Sequence, residues 1–233
     1  MTVLAFDPNR RTNAQAIADA HELGYITEDD FVLDMTYERG RFWNLWRPSR
    51  DLALVKNDLN PKMGNVHFDF RKMPWMDGYF SVVVFDPPYG FRGTSKHAMD
   101  ESYGLGEYLS VDERLTLMRD GMKEAARLSN RTVLMKLQDQ VVSGEKVWQR
   151  ILFANYGESI GLRLVDELHV VGYRAQPQRK CRVCGGVGHL GPGTGADQRD
   201  YGRECVVCEG SGKVDMVQKH SASNVSTLQV YRR

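Results

Sequence analysis

Two periods of apolar and polar residues alternate along positions 1–175. Short runs dense in β-branched, leucine and aromatic side chains occur at 31–35, 52–56, 66–70, 81–85, 132–137 and 164–173, and a further one at 227–231. These predict seven strands. Between them lie stretches of helical spacing, the order expected of a parallel sheet with helices on both faces. Ser110 followed by Glu113 has the form of a capping box, and Leu115, Met118 and Met122 continue on one face, so a helix is predicted over 110–128. Val147, Trp148, Ile151 and Leu152 predict a second over 145–155, and a third is expected over 12–23.

From about 176 to 213 the texture changes. Glycine becomes dense, apolar periodicity stops, and Gly191-Pro192-Gly193-Thr194-Gly195 breaks any regular element. We therefore divide the chain into a core over 1–175, an insertion over 176–213 and a last strand within 214–233 that completes the core. All four cysteines lie in the insertion as two Cys-x-x-Cys pairs, and the halves 181–188 and 205–212 read as two copies of one knuckle. In a reducing compartment such spacing reads as a metal site.

Hydrophobic residues make up 42% of the 233 positions and charged ones 26%, with no apolar run near the ~20 residues of a membrane span. Residues 1–7 are too short and wrongly flanked for a secretory signal, so a soluble, cytoplasmic protein is expected, with no membrane partner. A formal net charge of +1 does not select a partner by itself.

Candidate chemistry concentrates at 82–89. Val82, Val83, Val84 and Phe85 form a buried-type strand that ends in Asp86, Pro87, Pro88 and Tyr89. Proline cannot continue a central ladder, so the strand's carboxyl end opens onto a crevice, where α/β sheets bind ligands. There the Asp86 carboxylate and Pro87 carbonyl can accept from an amino group, while Tyr89 offers a ring face. An exocyclic amine on a base is a poor nucleophile because its lone pair is delocalised, and acceptors at its hydrogens localise that pair.

The tetrapeptide 86–89 resembles the catalytic motif of S-adenosylmethionine-dependent amino-group DNA methyltransferases. The resemblance spans 31–89 and implies a seven-stranded Rossmann-like methyltransferase sheet whose last strand is antiparallel, 227–231 pairing beside 164–173. It implies that Asp34, Thr36 and Gly40 belong to the cofactor loop after the first strand. Similar proteins carry glycine at two positions of that loop; here Gly40 is kept and Glu38 stands in the other. Asp58 matches the acid that holds the cofactor ribose, although an aspartate before Asn60-Pro61 also suits a turn. Asp69 and Phe70 match the residues that meet the cofactor's adenine, and Phe70 equally suits a core position. Residues 90–108 read as a loop over the base pocket, with Arg92, Lys96 and His97 available to phosphates or to solvent.

The insertion resembles the zinc-binding region of J-domain chaperones, which implies Cys181, Cys184, Cys205 and Cys208 as four thiolates around one structural zinc. Arg174, Arg179, Lys180, Arg182 and Lys213 flank the knuckles and make the insertion a candidate arm for a nucleic-acid backbone, or a solvated protrusion. The expected activity is methylation of the adenine amino group in DNA, with double-stranded DNA as partner and the target base flipped out. An RNA base amino-group methyltransferase, a DNA cytosine amino-group methyltransferase and a non-catalytic nucleic-acid-binding protein are the alternatives.

Overall fold

The computed structural model describes residues 3–49, 53–91, 109–172, 178–192, 198–215 and 225–233. Contacts divide the chain into two units, Met1–Gly172 with Ala222–Arg233, and Tyr173–Ser221. In chain order the elements are α1 (Asn13–Glu22), β1 (Val32–Asp34), β2 (Leu54–Lys56), β3 (Phe80–Phe85), α2 (Val111–Leu128), β4 (Ser129–Leu137), β5 (Gln140–Val142), β6 (Glu145–Val147), α3 (Gln149–Ser159), β7 (Arg163–Val171), β8 (Gln178–Lys180), β9 (Lys213–Asp215) and β10 (Val225–Arg232). No helix among the described residues is long and apolar enough to cross a membrane.

The first unit is an α/β fold on a six-stranded mixed sheet of order β2-β1-β3-β4-β10-β7. Strands β2, β1, β3 and β4 run parallel, and β10 lies antiparallel between β4 and β7. Because successive side chains alternate faces, β1, β3 and β4 feed two cores. Leu33, Val83, Phe85, Val133 and Met135 face Met118, Met122 and Ala125 of α2. On the other side Val32, Val82, Val84 and Leu134 pack with Ile17 and Ala20 of α1 and with Phe42 and Trp43.

The starts of α2 and α1 have a local cause. Ser110 Oγ accepts from the Glu113 amide while the Glu113 carboxylate accepts from the Ser110 amide, and Thr12 and Gln15 repeat the device on α1.

Two sequence expectations are corrected. Residues 66–70 do not form the third of the seven expected strands; beyond one parallel bridge, Asn57 to Val66, the segment is stitched by a side chain. Asn57 Oδ1 accepts from the Phe68 amide at 2.8 Å, and Asn57 Nδ2 donates to Phe68 O at 3.0 Å and Met35 O at 2.9 Å. One buried amide thus supplies pairing that a ladder would otherwise provide. The helix expected over 145–155 begins at Gln149, because 145–147 turns back as β6 on β5. Ser143 and Gly144 both take positive φ, 50° and 88°, the requirement of a two-residue hairpin turn.

Candidate active site and metal centre

The carboxyl ends of β1, β3 and β4 meet at one edge. Asp34 ends β1 buried, with Oδ1 accepting from the Thr36 amide at 3.0 Å and Oδ2 from Trp43 Nε1 at 2.7 Å. Its principal partners are therefore the protein's own loop. Burial raises this carboxyl to about 7; the Trp43 and Thr36 hydrogen bonds oppose that, and the neighbouring Asp86 and Asp58 charges reinforce it.

The loop beyond β1 takes a glycine-type shape although one glycine is missing. Glu38 lies in the left-handed region at φ 49°, which costs a residue bearing Cβ about 1–2 kcal/mol. Its amide donates to Asp58 Oδ2 at 2.8 Å, which ties the loop after β1 to the loop after β2. Gly40 has φ 66°, and a Cβ there would run into the Tyr37 ring. Glu38 thus holds the turn at positive φ, while its carboxylate adds negative charge near Asp86.

Beside these loops runs a cleft lined by Met35, Thr36, Asn57, Asp58, Leu59, Phe68 and Phe70. Asp58 is nearly buried, and its Oδ1 accepts from the Asn60 amide at 2.8 Å, so the carboxylate is fixed at the cleft wall. Phe70 serves both readings at once: it lines the cleft and packs on Phe85 with ring centroids 5.1 Å apart. Asp69 is different. Its carboxylate is engaged by Arg71 at 2.6 Å on the surface, and it does not line this cleft. The aromatic neighbours Phe68 and Phe70 do.

Asp86 follows β3 directly, and its amide donates to Thr36 Oγ1 at 2.9 Å, which joins the Asp-Pro-Pro-Tyr corner to the loop after β1. Burial raises the Asp86 carboxyl to about 6, with Lys136 opposing and Glu38 reinforcing the shift. Sequence reasoning passed over Lys136. It lies in β4, where Phe85 pairs with Met135, so the next residues of the two strands, Asp86 and Lys136, are neighbours. Lys136 Nζ donates to Tyr89 Oη at 2.9 Å and lies 3.9 Å from Asp86 Oδ2. Its signal was a charge inside the apolar run 132–137, since an unpaired lysine is almost never buried.

The proline turn is braced from behind by three further residues that the sequence did not single out. Gln140 and Gln149 Nε2 each donate to Tyr89 O at 2.9 Å, and Arg114 donates to Pro88 O at 3.1 Å. Pro87 is buried, and its carbonyl accepts from the Tyr89 amide at 2.7 Å. Arg92, Lys96 and His97 of the predicted pocket loop lie outside the described residues, as does Arg174.

In the second unit Cys181, Cys184, Cys205 and Cys208 are buried, with all four Sγ atoms within 4.8 Å of one another. Cys181 to Cys205 is 3.8 Å and Cys184 to Cys208 is 3.6 Å, against about 3.8 Å for the edge of a thiolate tetrahedron around zinc. The knuckles bond to each other reciprocally. The Cys181 amide donates to Gly212 O at 2.9 Å, and the Cys205 amide to Gly188 O at 2.8 Å. A Cβ on Gly188 would strike Gly210 O and one on Gly212 would strike Gly186 O, so glycine is needed at both close approaches. The donor set suits zinc with no open position.

The chain matches no protein-family model and no curated protein sequence. Among solved structures it is similar to a candidate methyltransferase from Bacillus halodurans, at 12% identity and TM-score 0.47 over 94% of this chain and 97% of that one. A SAM-dependent methyltransferase from Archaeoglobus fulgidus is similar at 12% identity and TM-score 0.46, over 95% of each chain. The M. jannaschii protein TYW2, solved with AdoMet, is similar at 13% identity and TM-score 0.36, over 95% of this chain and 76% of that one.

Proposed function

We propose that the chain transfers a methyl group from S-adenosylmethionine to the exocyclic amino group of a nucleic-acid base, with adenine in DNA as the favoured target. The observation that carries this reading is the bond from the Asp86 amide to Thr36 Oγ1, 2.9 Å long. Through it an acceptor-rich Asp-Pro-Pro-Tyr corner and an acidic, aromatic cleft form one continuous edge of the sheet.

The cleft has the chemistry of a nucleoside site: Asp58 can accept from vicinal ribose hydroxyls, and Phe68 and Phe70 present apolar walls to a planar ring. Thr36 and the Glu38–Gly40 turn form the adjoining loop, glycine being required at 40 by its positive φ and by the Tyr37 ring beside it. Bound there, S-adenosylmethionine supplies an electrophilic methyl on a sulfonium. Asp86 accepts a hydrogen bond from the target amine, which concentrates the nitrogen lone pair, and Tyr89 offers a ring face beside the incoming base. Held there by Asp58 and the Phe68 and Phe70 walls, the cofactor would give up its methyl to the amine nitrogen and retain the electron pair of the C–S bond. The nitrogen sheds one proton, and Asp86 accepts it at a carboxylate oxygen. A carboxyl near 6 is suited to this, being ionised at neutral pH yet basic enough to take the proton briefly. Zinc at the four cysteines has only a structural part in this reading.

The test is incubation with methyl-labelled S-adenosylmethionine and a panel of duplex DNA, single-stranded DNA and RNA, followed by nucleoside analysis. Label on the adenine amino group of DNA supports the proposal. Label only on cytosine or only in RNA overturns the target, and no transfer to any member overturns the reading.

A further inference from the structure

Lys136 is oddly placed for a structural lysine. It is 7% exposed on a central strand, although burying an ammonium costs several kcal/mol unless partners offset it. A lysine kept for its stem alone would send its head to water. This head instead points along the sheet edge to the candidate active site. It donates to Tyr89 Oη at 2.9 Å, approaches Asp86 Oδ2 to 3.9 Å, and lies over two ring faces, Tyr89 at 5.2 Å and Phe42 at 5.8 Å from the centroids.

We propose that Lys136 is a positioning residue for methyl transfer: its ammonium keeps Asp86 an ionised hydrogen-bond acceptor and fixes the Tyr89 ring in one orientation. The inference rests on the amine-methylation reading above. Charges face Asp86 from several elements. Glu38 comes from the loop after β1 and Asp34 from β1 itself, both acidic, while Tyr89 belongs to its own turn. Among the described residues Lys136, from β4, is a cation that opposes burial and Glu38 at Asp86. The effect is mutual. Burial pulls the lysine down, yet Asp86 and Tyr89 together hold it above the ordinary lysine range, so the ammonium stays charged while it works on its neighbour.

Lys136→Met removes the charge and keeps the stem; Lys136→Arg keeps the charge. Two readouts follow the Asp86 carboxyl: the acid limb of the pH–rate profile, and a carbon-13 carboxyl titration assigned by loss of its signal in Asp86→Asn. Wild-type protein is expected to titrate near pH 6 in both. In Lys136→Met the midpoint moves above neutrality, so activity at neutral pH falls about tenfold and recovers in alkaline buffer. Lys136→Arg keeps the wild-type midpoint. An unchanged midpoint in Lys136→Met, with any loss of rate equal at every pH, would overturn the inference. If the wild-type protein methylates nothing, the functional reading fails by itself, and the carboxyl titration still decides whether Lys136 governs Asp86.

Discussion

Gly121 sets two effects of opposite sign against each other. It lies in the interior of α2, where alanine is favoured over glycine by about 1 kcal/mol on propensity alone. A Cβ at this position would fall inside the contact distance of Phe85 Cζ, 2.8 Å from Phe85 Cε1 and 2.9 Å from Phe70 Cδ2. Those rings cannot move aside cheaply, because Phe85 is fully buried, Phe70 is nearly so, and the two pack on each other. Over-packing of a tight core costs about 1–3 kcal/mol, and with this much overlap the upper half of that range applies. Gly121→Ala should therefore lose roughly 1–2 kcal/mol net. For a chain of this size that lowers the melting temperature of the main transition by about 2–8 °C. Thermal and urea denaturation measure it, the urea slope staying constant if only stability changes. Phe85 also adjoins Asp86 and Phe70 lines the cleft, so affinity for S-adenosylmethionine should drop alongside. A variant as stable as wild type, or more stable, would refute the packing argument and leave helix propensity as the dominant effect.

Asp58→Ala removes a charged acceptor at the cleft wall together with the tie to the Glu38 amide. Charged hydrogen bonds contribute about 1.5–3 kcal/mol, so calorimetry should show cofactor affinity weakened roughly ten- to hundredfold, and unchanged affinity would reject the ribose assignment. The cysteine knuckles should carry one zinc per chain by native mass spectrometry. Chelation should release amide protection around Cys181–Cys208 before the main sheet exchanges, and a metal-free protein with four reactive thiols would count against the site.

How much of this was legible in the sequence varies element by element. The runs 81–85 and 132–137 read plainly as strands because both faces are buried, which leaves no polar alternation to confuse them. The start of α2 was legible because a capping box is local chemistry between Ser110 and Glu113. Residues 66–70 had the composition of a strand but not its pairing, and nothing in their own sequence says that the Asn57 amide will do the stitching. The hairpin at 140–147 was hidden by apolar residues at helical spacing, and the Ser143-Gly144 pair was the turn signal that outweighed them. Asp86, Thr36 and Asp58 gathered at one edge because each follows a parallel strand, and Phe70 lines the same cleft at the end of the segment that the Asn57 amide stitches in place. Asp69 is not among the residues lining the cleft, and its carboxylate is engaged by Arg71, two residues on. Lys136 could be found only by asking what a charge in a buried strand must face.

The central claim is that Asp86 acts on the target amine and not on the cofactor. The most direct measurement compares Asp86→Ala with wild type for both S-adenosylmethionine affinity and methyl transfer to DNA. The account predicts unchanged cofactor affinity with transfer abolished, since the lost acceptor is needed as the amine attacks. Full transfer by the variant, or a loss of cofactor binding equal to the loss of rate, would contradict it.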